Sequence, residues 1–190
     1  MHRIAFVLVF LGVLLVAAPR HLLGQAATPP PATAELAERV RLAVEREFGP
    51  RLKLVAKFPP MFGDFDGDGK EDLAVVVTGN PMLDQASHNY KLIDPYDSYF
   101  GYGNVRTTMS FPIHAQGEPL YVAIAHDWRA PHPKAKFVIV NLPFERIEVG
   151  SVQMRKKKTG SGLFTVDSTG TQALVVWDGR KYRWQGGGVE

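Results

Sequence analysis

The sequence predicts an α+β fold in which one N-terminal amphipathic helix packs on a mainly antiparallel β-sheet. Three observations carry this expectation. Residues 33–48 place apolar side chains at helical spacing, and several later stretches alternate or run apolar over strand-like lengths. The 18 glycines and 14 prolines among 190 residues favour many turns over long helices. A composition of 45% hydrophobic and 22% charged residues suits one globular domain and excludes a wholly disordered or coiled-coil chain.

The first residues read as an address. Met1-His2-Arg3 gives a short basic start, and residues 4–18 form an unbroken apolar run. That run is shorter than the ~20 residues a helix needs to span a bilayer. Gly24-Gln25-Ala26 then puts small residues at the −3 and −1 positions of a cleavage site after Ala26, so 1–26 is expected to be a secretory signal peptide. The alternative is an uncleaved N-terminal anchor. Cleavage would leave no transmembrane span and place the protein in the periplasm or outside the cell. It would also remove Arg3 and Arg20 and no acid, lowering the formal net charge of +3 further. Such a balance gives no reason to expect nucleic acid as a partner. With no cysteine, the chain has neither disulfides nor thiolate metal sites, and it depends on packing and on any bound metal for its stability.

Residues 27–32, with three prolines in a row, read as a stiff tether, and a single domain is expected over 33–190. In the helix, Leu36, Val40, Ala43, Val44 and Phe48 share a face, Thr33 suits the N-cap, and Gly49-Pro50 stops the element. Leu52, Leu54, Ala56 and Phe58 then alternate with polar residues as in a half-buried strand. Residues 73–78 form a more apolar strand with three consecutive valines. Further strands are expected at 120–125, 136–141, 163–166, 172–177 and 181–184, the last two joined by the hairpin signal Asp178-Gly179. Residues 79–110 are the least regular, with Tyr90, Tyr96, Tyr99, Phe100 and Tyr102 set among Asn, Asp, Gly and Pro. These tyrosines would either pin the segment to the core or form a binding surface.

The chemistry is concentrated in one loop. Asp64, Asp66, Asp68 and Asp72 occupy positions 1, 3, 5 and 9 of a D-x-D-x-D-G-x-x-D pattern, and Glu71 adds a fifth carboxylate. Carboxylates this close must be well solvated or gathered around a cation. Gly69 falls where a tight loop turns, and the main-chain carbonyl of Lys70 falls at ligand position 7. An all-oxygen set selects a hard ion, and a flexible multi-carboxylate loop suits Ca²⁺ better than Mg²⁺. The pattern is not a complete EF-hand, because Val75 stands where that motif has its bidentate Glu.

The loop resembles the calcium loop of FG-GAP and VCBS-type repeats, the motif of integrin α-subunit propellers. Phe62-Gly63 stands just before it, Asp72-Leu73-Ala74-Val75-Val76 enters a strand after it, and Gly79-Asn80-Pro81 lies where the family has Gly-Ala-Pro. The resemblance implies Ca²⁺ bound by the side chains of Asp64, Asp66, Asp68 and Asp72 and by the carbonyl of Lys70. It covers residues 61–81 only. One loop cannot build a propeller of four or more blades, so the family's fold is not implied.

Other constellations are weaker. His114, His126 and His132 match no zinc spacing, and Ser161 in Gly160-Ser161-Gly162 lacks a nucleophile elbow and reads as turn chemistry. Arg155-Lys156-Lys157-Lys158 reads as a solvated loop, or as a contact for anionic envelope polymers. The leading expectation is an exported, non-enzymatic calcium-binding module that binds or scaffolds a protein or polysaccharide of the cell envelope. The rival is a periplasmic hydrolase, with the calcium loop as support and a site within 79–132 drawn from Asp94, Asp97, His126 and Asp127.

Overall fold

In a computed structural model, residues 31–95, 119–154 and 158–186 are described. The expected signal peptide, most of the tether, Asp97, His114, four of the five aromatic residues singled out in the irregular segment, and Arg155-Lys156-Lys157 lie outside them. The elements run α1 (Pro31–Phe48), β1 (Lys53–Leu54), β2 (Met61–Gly63), β3 (Asp72–Thr78), α2 (Pro81–His88), β4 (Lys91–Ile93), β5 (Leu120–His126), β6 (Ala135–Ile139), β7 (Arg146–Gln153), β8 (Thr159–Val166), β9 (Gln172–Trp177) and β10 (Tyr182–Gly186). The α+β class holds with mostly antiparallel pairing. Its finer form differs from the expectation: there are two helices and two sheets among the described residues, and one strand pair is parallel.

The first sheet has the order β1-β3-β5-β6-β4, with β2 also pairing β3, and only β4–β6 is parallel. The second is a meander, β10-β9-β8-β7, antiparallel throughout. Two cores explain why the first sheet sits in the middle. On one face Leu73, Val75, Val77, Ala123 and Val138 pack against Val40, Val44 and Phe48 of α1. On the other, Ala74, Val76, Val122, Ile124 and Ile139 pack against Leu163, Val175 and Tyr182 of the second sheet. A strand covered on both sides has no solvent face to keep polar, which is why β3 reads as three valines in a row.

Several boundaries differ from the sequence reading. Helix α1 starts at Pro31, so Thr33 lies in its first turn instead of capping it. The 52–58 alternation yields only the two-residue β1, because the chain then turns, with the Phe58 amide donating to the Val55 carbonyl. Within the segment read as irregular, α2 is capped by Asn80, whose side chain accepts from the Met82 amide at 3.0 Å, and ends on left-handed Asn89 at φ 51°. Tyr90 does pin this segment. It is 2% exposed, its hydroxyl donates to the Pro81 carbonyl, and its ring lies 5.7 Å from that of Phe48. Among the described residues no helix is long and apolar enough to cross a membrane.

Candidate metal centre

The acidic loop, residues 64–71, joins β2 to β3. The register Gly63↔Asp72 closes it as a hairpin. It therefore joins β3 to the short β2, a strand absent from the sequence reading. Successive short side chains fold it onto its own backbone. Asp64 accepts from the amides of Asp68 and Gly69 at 2.9 Å each, Asp66 accepts from Asp68 at 3.1 Å, and Asp68 accepts from Lys70 at 3.0 Å. This local bonding turns the chain back on itself within a few residues. Gly69 carries φ 87°, a conformation that a side chain would strain, so glycine is needed there for the backbone alone.

Asp64, Asp66 and Asp72 converge, each offering a carboxylate oxygen within 4.8 Å of the others. Asp72 is the deepest, at 1% exposure, and both of its oxygens accept main-chain amides: Phe65 at 2.7 Å and Asp127 at 2.8 Å. Burial pushes its carboxyl up to about 7, against the pull of those two amides, and the nearby Asp66 and Asp64 charges add to the rise. A cation set among the three groups would reverse that penalty, and an all-oxygen donor set fits a hard ion.

Asp68 turns elsewhere. Its Oδ2 meets the Lys134 ammonium at 2.7 Å, and the same ammonium lies 2.7 Å from Asp66 Oδ2. The Lys134 hydrogen bond is the main cause holding the Asp68 carboxyl below its usual range. Lys70 offers its ammonium to Asp127, while Glu71 accepts from Trp128 at 3.1 Å and from Arg129 at 2.8 Å. Lys134, from the loop before β6, is the contribution that sequence spacing could not reveal.

The second sheet grips the loop from the other side. The Ser161 amide donates to the Asp64 carbonyl at 2.7 Å, the Asp64 amide donates to Ser161 Oγ at 3.1 Å, and Lys158 Nζ donates to the Gly67 carbonyl at 3.0 Å. Ser161 is thus mid-strand in β8, not in a turn. Gly63 lets β2 come this close, since a Cβ there would lie 2.6 Å from Ser161 Oγ. His126 completes the join. It is 1% exposed, with Nδ1 3.4 Å from Asp66 Oδ2 and Nε2 2.6 Å from the hydroxyl of Tyr182 on β10. Burial among the rings of Phe137, Trp177 and Tyr182 lowers its pKa to about 4, with the Asp66 charge opposing.

Of the residues named for a hydrolytic site, Asp97 lies outside the described residues, and Asp94 is not gathered with His126 and Asp127. Asp94, 3% exposed and accepting from Asn141 Nδ2 at 2.9 Å, follows the β4 end that pairs Ile139. His126 pairs Ala135, at the opposite end of the same β5–β6 ladder. His126 and Asp127 instead belong to the surroundings of the acidic loop. Compared with protein-family models, with curated proteins and with solved structures, the chain matches none. The likeness of the 61–81 segment to a calcium loop therefore stands on its own residues.

Proposed function

We propose that the protein is a small exported calcium-binding protein of the periplasm or the extracellular space. In this reading Ca²⁺ has a structural role, held by Asp64, Asp66, Asp68 and Asp72 and the main-chain carbonyl of Lys70. The protein acts as a binding or scaffolding module for a protein or polysaccharide of the cell envelope, with no nucleic-acid partner. The observation that carries the reading is the convergence of Asp64, Asp66 and Asp72 at the contact between the two sheets.

When bound, the ion supplies positive charge to buried carboxylates. The chain's own groups do the rest. Main-chain amides of Phe65 and Asp127 orient Asp72, those of Asp68 and Gly69 orient Asp64, and Ser161 fixes the loop to the second sheet. Stabilising the loop thereby stabilises the packing of one sheet on the other. Extracellular-type sites have dissociation constants near 10⁻⁴–10⁻³ M, so ~1 mM Ca²⁺ would add roughly 0.4–1.4 kcal/mol. For a chain of this size that is a rise of roughly 1–5 °C in Tm. Thermal melting with Ca²⁺ and with chelator tests this, and an identical Tm in both overturns it.

A further inference from the structure

The second sheet ends on a long edge. β7 has eight residues and, among the described strands, pairs only with β8. The other outer strands are blunted. β1 has two residues and β4 three, while β10, with five, gives its Trp184 amide to the Pro95 carbonyl at 3.4 Å. Short or covered edges are how folds avoid pairing with other chains. β7 has none of these protections. Residues 149–153 carry no charge and no proline, and no residue of the strand has a positive φ.

Hydrogen-bond alternation identifies the groups this edge offers. The Met154 amide donates to the carbonyl of Lys158 at 2.7 Å, one step past the Gln153↔Thr159 pair. Residues 152, 150 and 148 therefore bond inward to β8, while Ile147, Val149 and Ser151 aim their amides and carbonyls outward. Ser161 of β8 fits the same alternation, since its amide turns away from β7 to donate to the Asp64 carbonyl. Among the described residues no main-chain group bonds the outward set. The complement of such an edge is another extended main chain.

The three outward residues are evenly spaced about Val149, so the edge is complementary to itself. An antiparallel copy with Val149 on a twofold axis pairs Ile147 with Ser151 of the second copy and Val149 with its own equivalent, exchanging about six hydrogen bonds. That register sets Glu148 opposite Gly150 and Arg146 opposite Val152, so no like charges meet, and it brings the two half-buried Val149 side chains together. A register with Ile147 opposite Val149 would instead set Glu148 against itself. We propose that two copies of the chain join edge to edge through β7, fusing their second sheets into one. The assignment is independent of the calcium reading.

Sedimentation equilibrium of the purified protein tests it, with Ser151→Pro beside the parent. Ser151 is exposed and its amide points away from β8, so proline removes an edge donor and leaves the ladder intact. The parent is expected to be dimeric at about 100 µM, and the variant to bind its copy at least about tenfold more weakly. A second measurement uses the absence of cysteine, which makes Val149→Cys the only thiol in its chain. Residues paired on the axis have Cα atoms about 5.5 Å apart, within disulfide reach. Mild oxidation should link Val149→Cys at least about tenfold faster than Leu83→Cys, although Leu83 on α2 is 58% exposed. Three results would each overturn the proposal: a monomeric parent at about 100 µM, Ser151→Pro as dimeric as the parent, or equal cross-linking of the two cysteine variants.

Discussion

Lys134→Met removes the ammonium that pairs with both Asp66 and Asp68 of the acidic loop. The Lys134 ammonium lies 2.7 Å from both Asp66 and Asp68, and its side chain is 51% exposed while that of Asp66 is 6% exposed. A divalent ion binding the same carboxylates must push this ammonium aside or bind beside it. Two unit charges 4 Å apart in water interact by about 1 kcal/mol, and a divalent ion doubles this. Screening at physiological ionic strength removes roughly half, leaving about 1 kcal/mol, or about a fivefold change in dissociation constant. Methionine keeps the length and apolar stem of the lysine, so packing changes little. Calorimetric titration should show the variant binding Ca²⁺ about fivefold more tightly than the parent. Its metal-free stability should fall by no more than about 1 kcal/mol, as expected for a solvent-screened pair. Unchanged affinity would refute the competition, and weaker affinity would mean that Lys134 orients the ligands.

Three further outcomes follow from the same geometry. Raising the Asp72 carboxyl to about 7 makes the metal-free protein lose stability as pH rises from about 4 through 7, because the deprotonated form is the costly one in the fold. In the proposed reading calcium takes that deprotonated form, so the Tm increment it produces should grow from pH 5 to pH 7.5; a constant or shrinking increment contradicts this. The depressed His126 pKa, about 4, has the opposite sign: stability present above about 6.5 is lost as pH falls toward 4. Tyr182→Phe leaves the buried His126 Nε2 without its 2.6 Å partner, which should cost about 1–3 kcal/mol and lower Tm by several degrees. An unchanged melting curve would show that the join between the sheets does not depend on this bond.

Much of the fold was legible where one face of an element meets a core. Leu36, Val40, Ala43, Val44 and Phe48 keep helical period because α1 buries one stripe, and β3 reads as continuous valine because it buries both faces. β7 escaped because Ile147 and Val149 lose phase with Val152 across Gly150-Ser151. Its partner Gly160-Ser161-Gly162 has the composition of a turn, yet these residues pair with 150–152. Small residues there let the acidic loop approach, so local composition and tertiary need point in opposite directions. α2 did carry its signals: Asn80 before Pro81 at the start, and Asn89 at the end. They were overshadowed by the polar and aromatic residues that follow. In the candidate centre, Asp64, Asp66 and Asp72 were readable because their spacing is local. Lys134, Ser161 and the Tyr182–His126 bond were not, since each comes from a strand or loop more than 50 residues away in sequence.

The central claim is that the 64–72 loop holds calcium, and its most direct test is a calorimetric Ca²⁺ titration of the parent beside Asp66→Ala/Asp68→Ala. Saturable binding near one ion per chain in the parent, with a dissociation constant on the order of 10⁻⁴–10⁻³ M, and none in the variant, is the predicted result. No heat of binding in the parent at millimolar calcium, or equal binding in the variant, would contradict it.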